Sequence, residues 1–263
     1  MQIRDIMAEP ISIDKGETLS HAMDVMEKNG LRRLLVTHNG EIVGIVTIRN
    51  ILRSLGSRKK AGMPASSLHV ASATTDNFTK VFPDMKLEEA ITIIDRTGGV
   101  LIVMDGDEIL GWITPSEILK SAVNLEERVE DAMTTDLITV QPTDRVSHAR
   151  RLMLDENIGR LPVVEDEELV GIVTERDVAK AMRAFRDLVP SHHQDDRIKR
   201  LLVEDIMKRE VITVGMEAPI GEAVQTMLRE NIGGVVVLDG NEELRGIITR
   251  RNIIRALALA KRQ

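Results

Sequence analysis

The stretch Gly171-Ile172-Val173-Thr174-Glu175-Arg176-Asp177 contains a phrase of glycine, two apolar residues and threonine that the chain uses three more times. It returns as Gly44-Ile45-Val46-Thr47, Gly111-Trp112-Ile113-Thr114 and Gly246-Ile247-Ile248-Thr249, with the threonines 67, 60 and 75 residues apart. A second phrase precedes three of the four. Asp5-Ile6-Met7, Asp131-Ala132-Met133 and Asp205-Ile206-Met207 carry methionines 40 to 42 residues before Thr47, Thr174 and Thr249. Spacings held this closely mark an internal repeat, so the 263 residues read as four copies of one supersecondary unit.

The third copy shows the unit most cleanly. Val129 to Met133 is a short amphipathic lead-in, and Leu137 to Val140 reads as a brief apolar strand stopped by Pro142. From Thr143 the spacing becomes helical, with Val146, Ala149, Leu152 and Met153 on one face. Gly159 stands where a helix end wants a left-handed residue. Leu161 to Val164 and Leu169 to Val173, around the polar turn Glu165 to Glu168, read as a hairpin. A last helix starts at Thr174 and carries Val178, Ala181 and Met182. The predicted unit is strand, helix, strand, strand, helix, an α+β fold.

Equivalent helix stripes are Leu19, Ala22, Met23 and Met26 before Gly30, and Leu87, Ala90, Ile91 and Ile94 before Gly98-Gly99. The fourth copy uses Ile220, Ala223, Val224, Met227 and Leu228 before Gly233-Gly234. Stripes of this kind are core. A lone unit of about 55 residues is marginal in stability, so copies are expected to pair into two modules. The first spans 1–122, with copies at about 1–55 and 70–122, the second of them degenerate because it lacks the Asp-x-Met opening. The other spans 128–263, with copies at about 128–184 and 201–260. Gly56 to His69 and the polar stretch Arg186 to Arg200 connect copies inside the modules. Only Ala122 to Glu127 joins the modules, which predicts that they associate into one disk within the chain.

Composition excludes several classes. Apolar residues make up 43% of the chain but aromatics only 2%, so its cores are built from aliphatic residues and 13 methionines. A net charge of −7 argues against nucleic-acid binding. With no cysteine there are no disulfides, thiolate metal sites or cysteine nucleophiles. Charges at Arg4 and Asp5 interrupt any signal-like start, and no apolar run reaches membrane-spanning length, so a cytoplasmic protein is expected. There is no Gly-x-Ser-x-Gly elbow, His-Glu-x-x-His or Gly-x-x-x-x-Gly-Lys-Ser/Thr loop. Binding is expected here, with no catalytic residues and no catalytic cofactor.

Thr174 lies where a strand gives way to a helix, with Asp177 three residues on. One reading is a capping box, which prefers Glu or Gln at the third helical position. The second copy has that form, with Thr114, Pro115 and Glu117. The others carry Asn50, Asp177 and Asn252, one methylene shorter. The other reading is nucleoside binding: a carboxylate accepts from both hydroxyls of a ribose, and the helix N-terminus favours anions.

The Asp-Ile-Met opening, the run Asn157-Ile158-Gly159-Arg160-Leu161-Pro162-Val163 and Gly171-Ile172-Val173-Thr174-Glu175-Arg176-Asp177 resemble the CBS domain. A chain of four such copies is similar to archaeal homologues of the AMP-activated protein kinase gamma subunit. In that family two copies form a Bateman module with adenosine ligands in clefts. The resemblance implies ribose contacts at Thr174 and Asp177, Thr249 and Asn252, and Thr47 and Asn50, with Glu117 only a cap. It implies base contacts at Val211, Ile212 and Thr213 for the Asp177 cleft, with Ile232 to Val235 nearby, and at Leu137, Ile138 and Thr139 for the Asn252 cleft. Phosphate contacts fall to Arg32, Arg33 and Arg160. The second and fourth copies carry Gly98-Gly99 and Gly233-Gly234 at those turns.

The implied function is a regulatory sensor of an adenine nucleotide such as AMP, ADP or ATP. S-adenosylmethionine, methylthioadenosine or a ligand-independent interaction scaffold are the alternatives. Its partner would be a regulated protein, a homodimer is an alternative assembly, and neither membrane nor nucleic acid is expected. Lys59-Lys60 and Arg250-Arg251 read as solvent-facing charge, and His192-His193 with Asp195 and Asp196 as a polar loop and not a metal site.

Overall fold

The computed structural model describes residues 1–60, 63–188 and 200–260. The first copy contains β1 (Ser12–Asp14), α1 (Leu19–Lys28), β2 (Arg33–His38), β3 (Glu41–Thr47) and α2 (Ile48–Leu55). The second contains β4 (Thr74–Thr75), β5 (Phe78–Val81), α3 (Leu87–Thr97), β6 (Val100–Asp105), β7 (Glu108–Ile113) and α4 (Pro115–Leu119). The third contains α5 (Val129–Ala132), α6 (Val146–Asp155), β8 (Arg160–Glu165), β9 (Glu168–Thr174) and α7 (Glu175–Leu188). The fourth contains β10 (Thr213–Gly215), α8 (Ile220–Arg229), β11 (Gly234–Leu238), β12 (Leu244–Thr249) and α9 (Arg250–Ala260).

Local chemistry sets these elements. Thr18 caps α1 by accepting the His21 N–H at 3.0 Å. Hairpin turns use residues with positive φ, Asn39 (51°) with Gly40 (83°) and Asp166 (48°) with Glu167 (69°), a geometry that suits the strand twist. Gly159 is not the left-handed residue after α6. Asn157 (φ 55°) takes that conformation, as Asn231 (φ 48°) does after α8, while Gly30 (φ 64°) fills the role after α1. Asparagine tolerates it because its short side chain bonds locally. A Cβ on Gly159 would meet Glu175 Oε2 at 3.4 Å, an ordinary contact, so nothing there demands glycine.

The stretch Leu137 to Val140 is not a strand. Only Val140 pairs, as a parallel bridge to Val163. In the first and fourth copies the strand is anchored by Leu35 N–H on the Ile11 carbonyl (3.0 Å) and Val236 N–H on the Ile212 carbonyl (3.4 Å). The third copy has Pro162 in that place, with no N–H to donate. The helix α6 also starts later than Thr143, because Asp144 turns back to accept the Gln141 N–H at 2.8 Å.

The chain forms two compact units, interleaved along the sequence. Met1–Pro10, Asn77–Leu137 and Ile212–Gln263 make the first, and Ile11–Asp76 with Ile138–Val211 the second. In the first unit, sheets β5-β6-β7 and β10-β11-β12 accompany α9 packed on α3 and α4. Its core joins Ile91, Ile94 and Leu101 of the second copy to Val224, Met227 and Val235 of the fourth. In the second unit, sheets β1-β2-β3-β4 and β8-β9 accompany α2 packed on α7. Met26, Leu34 and Ile51 of the first copy share its core with Ala149, Met153 and Val173 of the third. Buried Arg186 of α7 donates to the carbonyls of Leu55, Lys60 (2.6 Å) and Met63 (2.7 Å), closing the end of α2. Lys60, expected to face solvent, is half-buried and donates to Ser54 Oγ at 2.7 Å.

The two recurring phrases explain each other. Each opening leaves its own copy and pairs with the Gly-x-x-Thr strand of a neighbour: Ala8 bridges Trp112, Thr134 bridges Ile247 and Lys208 bridges Ile172. The methionine of each opening then lies over that strand's glycine. A Cβ would stand 3.0 Å from Met7 Sδ on Gly111, 2.9 Å from Met207 Sδ on Gly171, and 2.7 Å from Met133 Sδ on Gly246. A side chain there would force the methionine or the adjacent backbone carbonyl to shift. The degenerate second copy has no such methionine, and β4 replaces it: a Cβ on Gly44 would collide with the Thr75 carbonyl.

His192, His193, Asp195 and Asp196 lie outside the described residues. Among the described residues no helix is long and apolar enough to cross a membrane.

Candidate functional site

All four threonines of the repeated phrase cap the helix that follows, and in every copy the third helical residue turns back onto the cap. Asp177 Oδ2 accepts from the Thr174 N–H at 2.9 Å and hydroxyl at 2.6 Å. Asn252 Oδ1 does the same for Thr249 at 3.0 and 2.6 Å, and Asn50 Oδ1 for Thr47 at 3.2 and 2.5 Å. Glu117 Oε2 accepts from Thr114 at 2.9 and 2.6 Å. The shorter side chains therefore close the capping box as glutamate does. Chain length does not separate cap from ligand site.

What each side chain has left does separate them. Asp177 is half-buried, and its Oδ1 makes no hydrogen bond among the described residues. Asn50 keeps an uncommitted amide N–H₂, a donor and not an acceptor. Asn252 Nδ2 donates to the Ala132 carbonyl at 2.9 Å and to Thr134 Oγ1 at 3.0 Å, so both ends of this amide are occupied. Thr114 and Glu117 are only 5% and 7% exposed. Of the four, only Asp177 is a half-buried carboxylate with one oxygen that makes no hydrogen bond among the described residues.

A cluster of charges stands at the same corner of the second unit. Arg160 opens β8 directly opposite Thr174, and the Glu175 N–H bonds the Gly159 carbonyl at 3.1 Å. Arg32 occupies the matching turn of the first copy, its carbonyl accepting the Ile48 N–H at 3.1 Å. Arg49 reaches from α2 to pair with the Glu175 carboxylate, and also donates to Asn157. Burial pushes the Arg160 guanidinium down to about 10, with the Arg32 and Arg49 cations adding to the effect and Glu175 opposing it. Burial also raises the Glu175 carboxyl above its ordinary value, against the pull of Arg49, Arg160 and Arg32. Arg160 stays protonated at neutral pH, and its guanidinium has no hydrogen bond or ion pair among the described residues. Arg160 is half-buried.

Arg33 sits opposite Thr47 in β2 and is not among the charges acting on Arg160 or Glu175. Arg250, expected to face solvent, is half-buried and donates to Ser116 Oγ at 2.6 Å and the Ile232 carbonyl at 3.1 Å. Among the expected base contacts, Val211 is half-buried and belongs to the second unit, while Ile212 (37% exposed) and exposed Thr213 belong to the first. Half-buried Leu137 belongs to the first unit; half-buried Ile138 and exposed Thr139 belong to the second.

Sequence reasoning passed over Arg49 and Glu175. A signal for Arg49 existed: the second residue after the threonine is arginine in three copies, at Arg49, Arg176 and Arg251. Nothing local marks Glu175, since the preceding position holds Ile48, Pro115, Glu175 and Arg250 in turn.

A family model described as CBS domain matches residues 3–57, 70–124, 129–184 and 203–259. The uncharacterized protein MJ1225 of Methanocaldococcus jannaschii is 28% identical over 261 residues, covering 92% of each chain. Its crystal structure, described as that of a proposed archaeal homolog of g-AMPK, matches with a TM-score of 0.83 at 25% identity, over 98% of this chain and 100% of that one. A 33.4 kDa protein from the ribosomal RNA operon of Thermofilum pendens is 28% identical over 92% of this chain and 87% of its own length.

Proposed function

Because this chain belongs to the CBS-domain family, we propose that it is a non-catalytic regulatory protein that senses an adenine nucleotide, with AMP the preferred ligand. The observation that carries this reading is one corner of the second unit, where the Asp177 Oδ1 and the Arg160 guanidinium, neither with a hydrogen bond among the described residues, flank the first turn of α7. A ribose with two vicinal hydroxyls donates to Asp177, and a phosphate on the same nucleoside meets Arg160 and Arg32. The N-terminus of α7 adds N–H groups and a favourable dipole. Similarity to MJ1225, with its proposed kinship to g-AMPK, supports an adenine nucleotide over other nucleosides. Ligand binding would favour one conformation of the protein, and a regulated partner would read that shift.

S-adenosylmethionine or methylthioadenosine would use Asp177 in the same way but would leave Arg160 unanswered. A second reading is an interaction scaffold without ligand, favoured by one observation: all four junctions are complete as helix caps. Calorimetry with AMP, ADP, ATP, S-adenosylmethionine and methylthioadenosine separates these. AMP should bind and lose its tightest phase in Asp177→Ala. Silence from all five ligands would leave the scaffold.

A further inference from the structure

We propose that Arg49, a side chain of the first copy, is a positioning residue for the phosphate end of the third copy's nucleotide site: it holds the turn that leads into Arg160. The inference rests on the nucleotide reading above. That turn runs from Asn157, the left-handed residue after α6, to Arg160, the first residue of β8. Arg49 crosses from α2 and donates to the Asn157 carbonyl at 3.2 Å and to its side-chain oxygen, while its Nε pairs with the Glu175 carboxylate. The Glu175 N–H donates to the Gly159 carbonyl at 3.1 Å, so a single guanidinium ties the turn to the first residue of α7. The Arg160 guanidinium has no bond among the described residues to fix it. Its placement depends on the backbone that carries it, and that backbone is held from another copy.

The same device recurs by position. The second residue after the repeated threonine is arginine in three copies, and each lies at the helix-to-strand turn of the other copy in its unit. Arg176 returns the contact from the third copy to the first, donating at 2.7 Å to the carbonyl of Leu31, which follows left-handed Gly30 and precedes Arg32. In the first unit an Nη of Arg251 lies 3.7 Å from where a Cβ on Gly98, the left-handed residue after α3, would stand. What the turns deliver differs. The turn at Gly98 runs on through Gly99 and Val100 and carries no cation, whereas the turn at Asn157 ends in Arg160. Arginine suits the task because its rigid fork can span Asn157 and Glu175 together, which the point charge of a lysine cannot do.

The test is calorimetry of AMP and adenosine on the full chain, as wild type, Arg49→Lys, Arg49→Ala, Arg160→Ala and the Arg49→Lys/Arg160→Ala double variant. Both Arg49 variants should weaken AMP about tenfold, the size of one charge-assisted hydrogen bond to phosphate. Adenosine, which has no phosphate, should bind them as it binds wild type. In the Arg160→Ala background Arg49→Lys should cost AMP nothing more, because Arg49 acts through Arg160. Arg251→Ala, which alters the turn without a cation, is the control and should leave both ligands unchanged. Should Arg49→Ala fail to fold by thermal melting, Arg49→Lys carries the comparison, and should adenosine bind too weakly to register, the cycle with Arg160→Ala decides. Wild-type AMP affinity in Arg49→Lys with a loss in Arg49→Ala would make the effect one of charge and overturn the proposal. Equal loss of AMP and adenosine, or a loss that persists in full without Arg160, overturns it as well. AMP binding unchanged by every Arg49 variant overturns the positioning role and leaves the sensor intact, whereas a folded wild type that does not bind AMP overturns both.

Discussion

The helix starts at Thr174 and Thr249 share one backbone geometry and one capping pattern, yet they hold opposite reserves of hydrogen bonding. At Thr174 the third residue is Asp177, and one of its two oxygens is spent on the cap while the other makes no bond among the described residues. At Thr249 the third residue is Asn252, whose oxygen is spent on the cap and whose amide hydrogens go to Ala132 and Thr134. The cost of a cap is the same in both places. The difference is the neighbouring lead-in, which in the first unit supplies acceptors that consume the Asn252 amide. On the proposed reading, a junction able to bind a ligand is one whose neighbours have left something unspent.

The sharpest way to break this contrast is to truncate both residues. Asp177→Ala should weaken the tightest nucleotide phase by ~10- to 100-fold, the loss of one charge-assisted hydrogen bond. Asn252→Ala should leave that phase unchanged in calorimetry. The reverse result would rank the junctions the other way.

A second test attacks the lead-in itself. Gly246→Ala places a methyl group 2.7 Å from Met133 Sδ and 2.9 Å from the Thr134 carbonyl. Overpacking of that kind should cost about 1–3 kcal/mol in urea unfolding. Gly215→Ala, where a Cβ meets nothing within 4 Å, is the control. Equal stability of the two variants would mean that the lead-in does not constrain Asn252.

Asn252→Asp sharpens the comparison further, because it makes the fourth copy look like the third. If the residue type alone decided, this variant would gain a nucleotide phase. The expected outcome is the opposite: a carboxylate oxygen facing the Ala132 carbonyl should cost roughly 1 kcal/mol or more of stability, with no new phase in calorimetry. The smallest effect belongs to Thr134→Val, which removes one of the two acceptors on Asn252. It should lower stability by about 0.5–1 kcal/mol and leave nucleotide binding at Asp177 untouched.

Much of this molecule is legible in local spacing. The four copies, the caps at Thr47, Thr114, Thr174 and Thr249, and the buried stripes on α1, α3, α6 and α8 all follow from intervals of one to four residues or from exact recurrence. Those intervals are governed by backbone geometry, which a chain carries with it wherever it goes. Pro162 was legible too, but its consequence for Val140 needed the strand opposite.

Other features depend on where the chain crosses itself. The Met-over-Gly contacts join phrases of different copies, so each phrase seen alone looks like an unexplained preference. Arg49 and Glu175 meet across 126 residues, and Asn252 meets Thr134 across 118. A sequence shows which donors and acceptors each side chain owns, and here it showed that Asp177 and Asn252 occupy matching places. Whether those groups are still free is decided by neighbours that only the tertiary fold delivers, because hydrogen-bond capacity is finite and is consumed by whatever comes within about 3 Å.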